Sequence, residues 1–331
     1  MVRMPLSNAE NQKGGVTGTT ARLAREGRFA FVTPYYQEKR HYLERCIASV
    51  KRQTISADHI VVADGFPQDW IDQASVRHLR LDRAHQDYGN MPRAIGALIA
   101  LAEGYDCIGL LDADCWLEPD HLEHCLEQAK QVGLESCGFV AAARTLRRLD
   151  ESVIDVADEP ATKHIDTSCF LLMPPSFEAL SVWALMPREV SAVCDRVFYL
   201  ALRSRNLTPA FCAKKTVNFT YTYAPLYRSL GEIPPEPIKE NPDHTAIAAW
   251  IDRLPRDRLE MLNRRIGADL QALYRTGATA TASDAQSKSS IKASARTLQI
   301  FCMLADRNGW GLSEAFEHAV MALQGVCGPD S

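Results

Sequence analysis

Between residues 28 and 173, short apolar runs alternate with stretches in which apolar positions recur every third or fourth residue. The runs 29–32, 59–63 and 78–81 predict strands, as do the run from Cys107 that ends at Asp112 and the runs 139–143 and 167–173. Between them, residues 38–53 predict a helix with Leu43, Ile47 and Val50 on one face. Residues 92–102 predict a second helix with a first-turn proline, and Pro119 opens a third through Leu122, Leu126 and Ala129. Strands and helices alternating at this spacing imply an α/β domain: a mostly parallel, Rossmann-like sheet with helices on both faces.

Further along, residues 150–165 are polar and predict a loop, 190–204 a helix, and 218–223 an edge strand or ribbon. The proline-rich segment 233–237 fits no regular element and reads as a linker. Beyond it the pattern turns helical, with Leu259, Leu262, Ile266, Leu270 and Leu273 on one face of residues 256–275. Two more helices are expected at 291–306 and 313–324, after a Thr/Ala/Ser-rich stretch at 276–290. The chain thus divides into a polar, flexible tail (1–27), an α/β domain (28–235) and a helical C-terminal extension (236–331).

Charge enters this pattern at the strand ends. The apolar run from Cys107 drives into Asp112 and Asp114, and alternation along a strand sends both carboxylates to the same side. Two acids aimed at one point repel unless a cation lies between them. Mg²⁺ and Mn²⁺ take one or two carboxylates and complete their shell with phosphate and water. Open α/β sheets bind ligands at the carboxyl ends of their strands, which is where this pair falls. The second strand ends similarly, in Asp64 and Gly65, and Arg93 falls in the first turn of a helix, where a guanidinium reaches phosphate or an acid.

Composition narrows the class without changing it. The 331 residues are 46% hydrophobic and 24% charged with a net charge of −4, which gives no basic footprint for nucleic acid. The short clusters 144–148 and 214–215 read as solvated faces. Ten cysteines are scattered without Cys-x-x-Cys spacing, as expected for reduced core residues. No apolar stretch approaches the roughly 18–20 residues of a membrane span. The first 27 residues lack a signal-peptide core, so a cytoplasmic chain is expected.

Taken together, the segments VTPYYQE, VVADGF, PRAIG and LLDADCW resemble, in order and spacing, the family 2 glycosyltransferases of the GT-A fold. The resemblance spans roughly residues 28–227. It implies a metal-dependent enzyme that moves a sugar from a nucleoside diphosphate sugar, UDP-linked by preference, to an acceptor hydroxyl with inversion. It places Thr33, Pro34, Tyr36, Glu38, Asp64, Arg93, Asp112 and Ala113 around the donor, with Tyr36 and Asp64 on the base. It also implies that Asp112 and Asp114 hold Mn²⁺ or Mg²⁺. The sequence departs from the family pattern at Gln37, Ala63 and Ala94, where Asn, Asp and Asn are usual. The family also needs a base on the acceptor side. Asp195, at the start of a predicted helix, and Asp166, in the turn before a strand, are the two candidates, and His244 is a candidate third metal ligand.

Other readings stay open at this point. A nucleotidyltransferase would carry a glycine-rich basic loop that VTPYYQEKR lacks, and no Gly-x-Gly-x-x-Gly supports a dehydrogenase. A non-catalytic nucleotide-sugar-binding or scaffold protein is the remaining alternative. The apolar faces of the C-terminal helices leave packing on the domain, homodimerisation or contact with a membrane surface, with packing as the first expectation.

Overall fold

The computed structural model describes residues 27–274 except 159, 160, 162, 163 and 237; the tail and the helices expected after 275 lie outside these. Strand β1 (Phe29–Tyr35) is buried along its whole length, as the continuous apolar run requires of a strand covered on both faces. It pairs in parallel with β2 (Asp58–Ala63) and with β4 (Cys107–Leu110), and β2 pairs in parallel with β3 (Arg77–Arg80). The eight strands run in the order β3-β2-β1-β4-β7-β6-β8-β5. Strands β6 (Cys137–Arg147) and β8 (Thr208–Thr220) are parallel to each other, whereas β7 (Phe170–Leu172) runs antiparallel between β4 and β6. The two-residue β5 (Trp116–Leu117) closes the edge antiparallel to β8. The sheet is therefore mixed and mostly parallel, as the sequence predicts.

Helices cover both faces. Helix α1 (Arg40–Lys51) sets Leu43 and Ile47 against Tyr35, Val61 and Ala63. Helix α2 (Asn90–Ala102) lies on the opposite face and comes so close that a Cβ on Gly96 would sit 2.5 Å from Val32 Cγ1. Glycine is what allows that approach. Helix α3 (His121–Val132) follows β5. Helices α4 (Val182–Leu185) and α5 (Cys194–Ser204) bring Trp183 and Phe198 into a stack beside Phe170. Helix α6 (Ala224–Ser229) precedes the proline-rich segment, and α7 (His244–Asp252) and α8 (Arg256–Ile266) follow it. Ile247, Ile251, Leu262, Ile266 and Leu270 join the same apolar core as the strands.

Several boundaries differ from the sequence expectation. The predicted strand at 167–173 begins as a 3₁₀ turn (Thr167–Cys169), because the Asp166 carboxylate accepts the Ser168 N–H and winds the chain there. The predicted helix at 190–204 starts only at Cys194, after a 3₁₀ turn over Arg188–Val193. The predicted ribbon at 218–223 is the end of the much longer β8, and Val217 and Asn218 pair on both sides. The long helix expected over 256–275 stops at Ile266, where Gly267 takes a left-handed φ of 72° and ends it. Helix α7 carried no sequence signal that separated it from the linker.

His121 bears on stability. Its Nδ1 meets Thr216 Oγ1 at 2.8 Å, and burial depresses its pKa to about 4. The folded ring stays neutral while the unfolded chain takes up a proton below about pH 6.5, so stability is lost as pH falls from 6.5 towards 4. Comparing urea unfolding at pH 7 and pH 5, we expect the wild type to lose about 2 kcal/mol more than His121→Gln. Equal losses in the two proteins would refute this linkage.

Candidate active site

The carboxyl ends of β1, β2, β4, β6 and β8 open onto one cavity of about 800 Å³. Pro34, Tyr36, Glu38, Asp64, Arg93, Asp112, Ala113, Asp114, Asp166 and Asp195 all line it, as does His244. These residues span more than 200 positions of sequence and meet because β7 enters the edge from which β4 leaves. Thr33 is the exception among the sequence candidates. It is fully buried on the α1 side of the sheet, where its hydroxyl shares a 2.8 Å hydrogen bond with His59 Nε2.

Asp112 and Asp114 behave differently. Arg93 donates to Asp112 Oδ1 at 2.7 Å, itself buried and seated over the Trp183 ring at 4.6 Å. The Asp114 carboxylate meets only the Cys115 thiol, at 3.4 Å. Burial first, and the neighbouring Asp112 charge second, push its pKa up to about 6. The main chain at this point is clamped: Arg45 donates to the Asp114 carbonyl at 2.7 Å, the Thr220 hydroxyl donates to the same oxygen, and Arg45 lies 3.7 Å over Trp116. Arg45 comes from α1, and no sequence pattern linked it to the site. Among the described residues no three or more His, Cys, Asp or Glu side chains are grouped to hold a metal ion. His244 turns its Nδ1 to Tyr274 at 3.2 Å. Two carboxylates with the remaining positions left to phosphate and water still fit Mg²⁺ or Mn²⁺.

The base-side residues are more constrained than the sequence suggested. Glu38 folds back to accept the Tyr36 N–H at 2.5 Å, and burial raises its pKa. Asp64 accepts from His85 N and Nδ1 and from Gln86 N, at 2.7–3.1 Å. Gly65 follows with φ 80°, and a Cβ there would stand 2.4 Å from Ala84 N. Gly65→Ala therefore meets both left-handed strain and backbone overlap, and we expect it to destabilise the fold by about 3 kcal/mol in a denaturant titration. A midpoint like that of the wild type would contradict this account of the turn.

On the other wall, His164 Nε2 lies 2.5 Å from Asp195 Oδ2, and Asp195 Oδ1 accepts the Arg196 N–H at 2.7 Å. Burial works against the Asp195 charge, but His164 outweighs it and holds the carboxyl below the usual range. Asp166 sits 3.1 Å from Arg144. Burial is the larger influence, and despite Arg144 it is pushed up to about 7, with Asp112 and Asp195 adding to the rise. Arg144 in turn grips Asp158 through two nitrogens, at 2.7 and 2.9 Å. Lys239 also reaches this cavity and acts electrostatically on Asp114 and Glu38.

A mostly parallel α/β sheet with an acid pair at its carboxyl edge and the antiparallel β7 beside it is the GT-A type of fold. Residues 30–152 match the family described as Glycosyl transferase family 2, and this stretch is a domain of that family. No curated protein matches the chain by sequence. Solved structures of S. aureus TarS are similar. One has a TM-score of 0.45 at 11% identity and covers 72% of this chain and 42% of that one. TarS 1-349 in complex with UDP has a TM-score of 0.44 at 11% identity, covering 72% and 70%. TarS 1-349 in complex with UDP-GlcNAc has a TM-score of 0.45 at 9% identity, covering 72% and 71%. The chain thus matches less than half the length of the first of these. At such identities, donor and acceptor have to be argued from this protein's own residues. No helix among the described residues is long and apolar enough to cross a membrane.

Proposed function

We propose that the protein transfers a sugar from a nucleoside diphosphate sugar, UDP-linked by preference, to an acceptor hydroxyl, with inversion at the anomeric carbon. The observation that carries this reading is the convergence of Tyr36, Arg93, Asp112, Asp114, Asp166 and Asp195 on one cavity at the strand ends. Tyr36 offers a ring for the nucleobase, and Arg93 fixes the Asp112 carboxylate that faces the ribose. Asp114 and Asp112 are the residues that would hold a divalent cation, Mn²⁺ or Mg²⁺. When bound, that cation supplies neutralisation of the charge that grows on the departing diphosphate.

Asp195 accepts the proton of the acceptor hydroxyl as its oxygen attacks the anomeric carbon from the face opposite the diphosphate. The new C–O bond forms as the bond to the diphosphate breaks, and the proton remains on Asp195 until solvent takes it. His164 keeps Asp195 ionised and oriented. Asp166, tied to Arg144 and to its own turn, shapes the acceptor wall.

The test needs no known acceptor. A panel of UDP-, GDP-, CDP- and ADP-sugars is incubated with Mn²⁺, and nucleoside diphosphate release is followed with water as a slow acceptor. Release from one donor class that stops on chelation supports the reading. Binding without any release, under all donors, would favour the non-catalytic binding protein instead.

A further inference from the structure

Seven buried side-chain nitrogen or oxygen atoms among the described residues lack a hydrogen-bond partner, and four belong to one stretch: His85 Nε2, Asp87 Oδ1, Asn90 Nδ2 and Arg93 Nε. Buried polar atoms are nearly always satisfied, so such a concentration marks where a partner from outside the chain is missing. Of these four residues, Asp87 and Arg93 line the cavity, as do Gln86 and Tyr36, whose hydroxyl lies 3.5 Å from Gln86 Nε2. The backbone of the stretch is held in an unusual shape, with positive φ at Gln86, Tyr88 and Gly89. The Asp64 carboxylate anchors that shape, and both its oxygens are already occupied by N–H donors of His85 and Gln86. Asp87 differs. Its Oδ2 accepts the Met91 N–H at 2.9 Å and caps α2, while Oδ1 accepts nothing.

We infer that Asp87, rather than Asp64, reads the nucleobase: its Oδ1 accepts a ring N–H, which selects bases that present one, uracil or guanine, over cytosine and adenine. Asp64 acts one step back, as the residue that positions the 85–88 loop. This rests on the nucleotide-donor reading above and deepens it. Chemically, a carboxylate oxygen with a lone pair to offer rewards N3–H of uracil or N1–H of guanine and repels the bare ring nitrogen of cytosine or adenine.

Asp87→Asn tests this cleanly. The amide oxygen keeps the Met91 cap, which leaves the NH₂ facing the base and turns an acceptor into a donor. Calorimetry with Mn²⁺ and UDP, GDP, CDP or ADP is expected to show the wild type favouring UDP or GDP. In Asp87→Asn that affinity falls about tenfold and CDP gains on UDP. Asp64→Asn is expected to weaken all four nucleotides without reordering them. N3-methyl-UDP provides a check on the wild type itself, and should bind at least tenfold more weakly than UDP if uracil is the base read. An unchanged UDP-to-CDP ratio in Asp87→Asn, or a reordering in Asp64→Asn alone, overturns the assignment while leaving the donor reading intact. Absence of any nucleotide binding by the wild type would remove both.

Discussion

Asp195→Asn is expected to lower the rate of sugar transfer about a thousandfold while leaving nucleotide affinity within about twofold, the size that loss of the proposed general base would produce. The substitution keeps the shape and the contact to His164 but removes the basic lone pair that would, on the proposed mechanism, receive the acceptor proton. Asp195 is the better placed of the two candidate acids for this task, because its pairing with His164 keeps it ionised throughout the neutral range. Asp166 has its pKa raised by burial and is tied to Arg144 and to the Ser168 N–H, so it is less available as a base. Asp166→Asn is therefore expected to change turnover far less than Asp195→Asn. Single-turnover rates with saturating donor, beside calorimetric affinities for the same variants, distinguish the two. A thousandfold loss in Asp166→Asn with near-normal turnover in Asp195→Asn would transfer the role to Asp166.

Asp114→Asn has the second large effect, on the donor. The wild type is expected to bind nucleoside diphosphate at least tenfold more tightly with Mn²⁺ than without it, and the variant is expected to show no metal dependence. Turnover falls about a thousandfold, because the charge on the leaving diphosphate goes unneutralised. The carboxylate suits this task through what it lacks. Among the described residues no cation is hydrogen-bonded to it, and despite Lys239 burial and Asp112 leave it burdened, a burden that a bound dication relieves. Titrations with and without a chelator on both proteins decide the point. Metal-enhanced binding that survives in Asp114→Asn would place the cation elsewhere.

The parallel half of the sheet was legible in the sequence because burial on both faces makes each strand an unbroken apolar run, as in Phe29–Tyr35. The acids just past β2 and β4 could be read with it, since the chain leaves a parallel strand at the carboxyl edge of the sheet, although β4 ends at Leu110, two residues before the acid pair begins. What lay beyond the sequence was who holds whom. Asp64 is satisfied by residues 21 and 22 positions later, Asp195 pairs with a histidine 31 positions earlier, and Arg45 clamps a carbonyl 69 positions away. None of these pairs has a local period or spacing. Strand β8 extends over residues 208–217 ahead of the expected ribbon, a stretch where Lys214 and Lys215 break the apolar pattern. Lys214 instead reaches outward to Asp120 and His124. The long C-terminal helix was overcalled because Leu270 and Leu273 keep the apolar period beyond Gly267, although the left-handed glycine redirects the chain into a 3₁₀ turn.

The reversed direction of β7 has an evolutionary side. Everything proposed to recognise the donor hangs from β1, β2, β4, the 85–88 loop and the start of α2. Asp166, Asp195, Tyr223 and Lys239 come instead from segments that follow β6. The two walls thus come from separate stretches of the chain, joined at such points as Ser168, which accepts the Asp112 N–H, and Trp183 under Arg93. If the proposed function holds, a lineage built on this plan could keep its donor site unchanged and vary the acceptor wall by rewriting residues 148–166 and 221–243. An engineer seeking a new acceptor would graft those two segments and leave the strands alone.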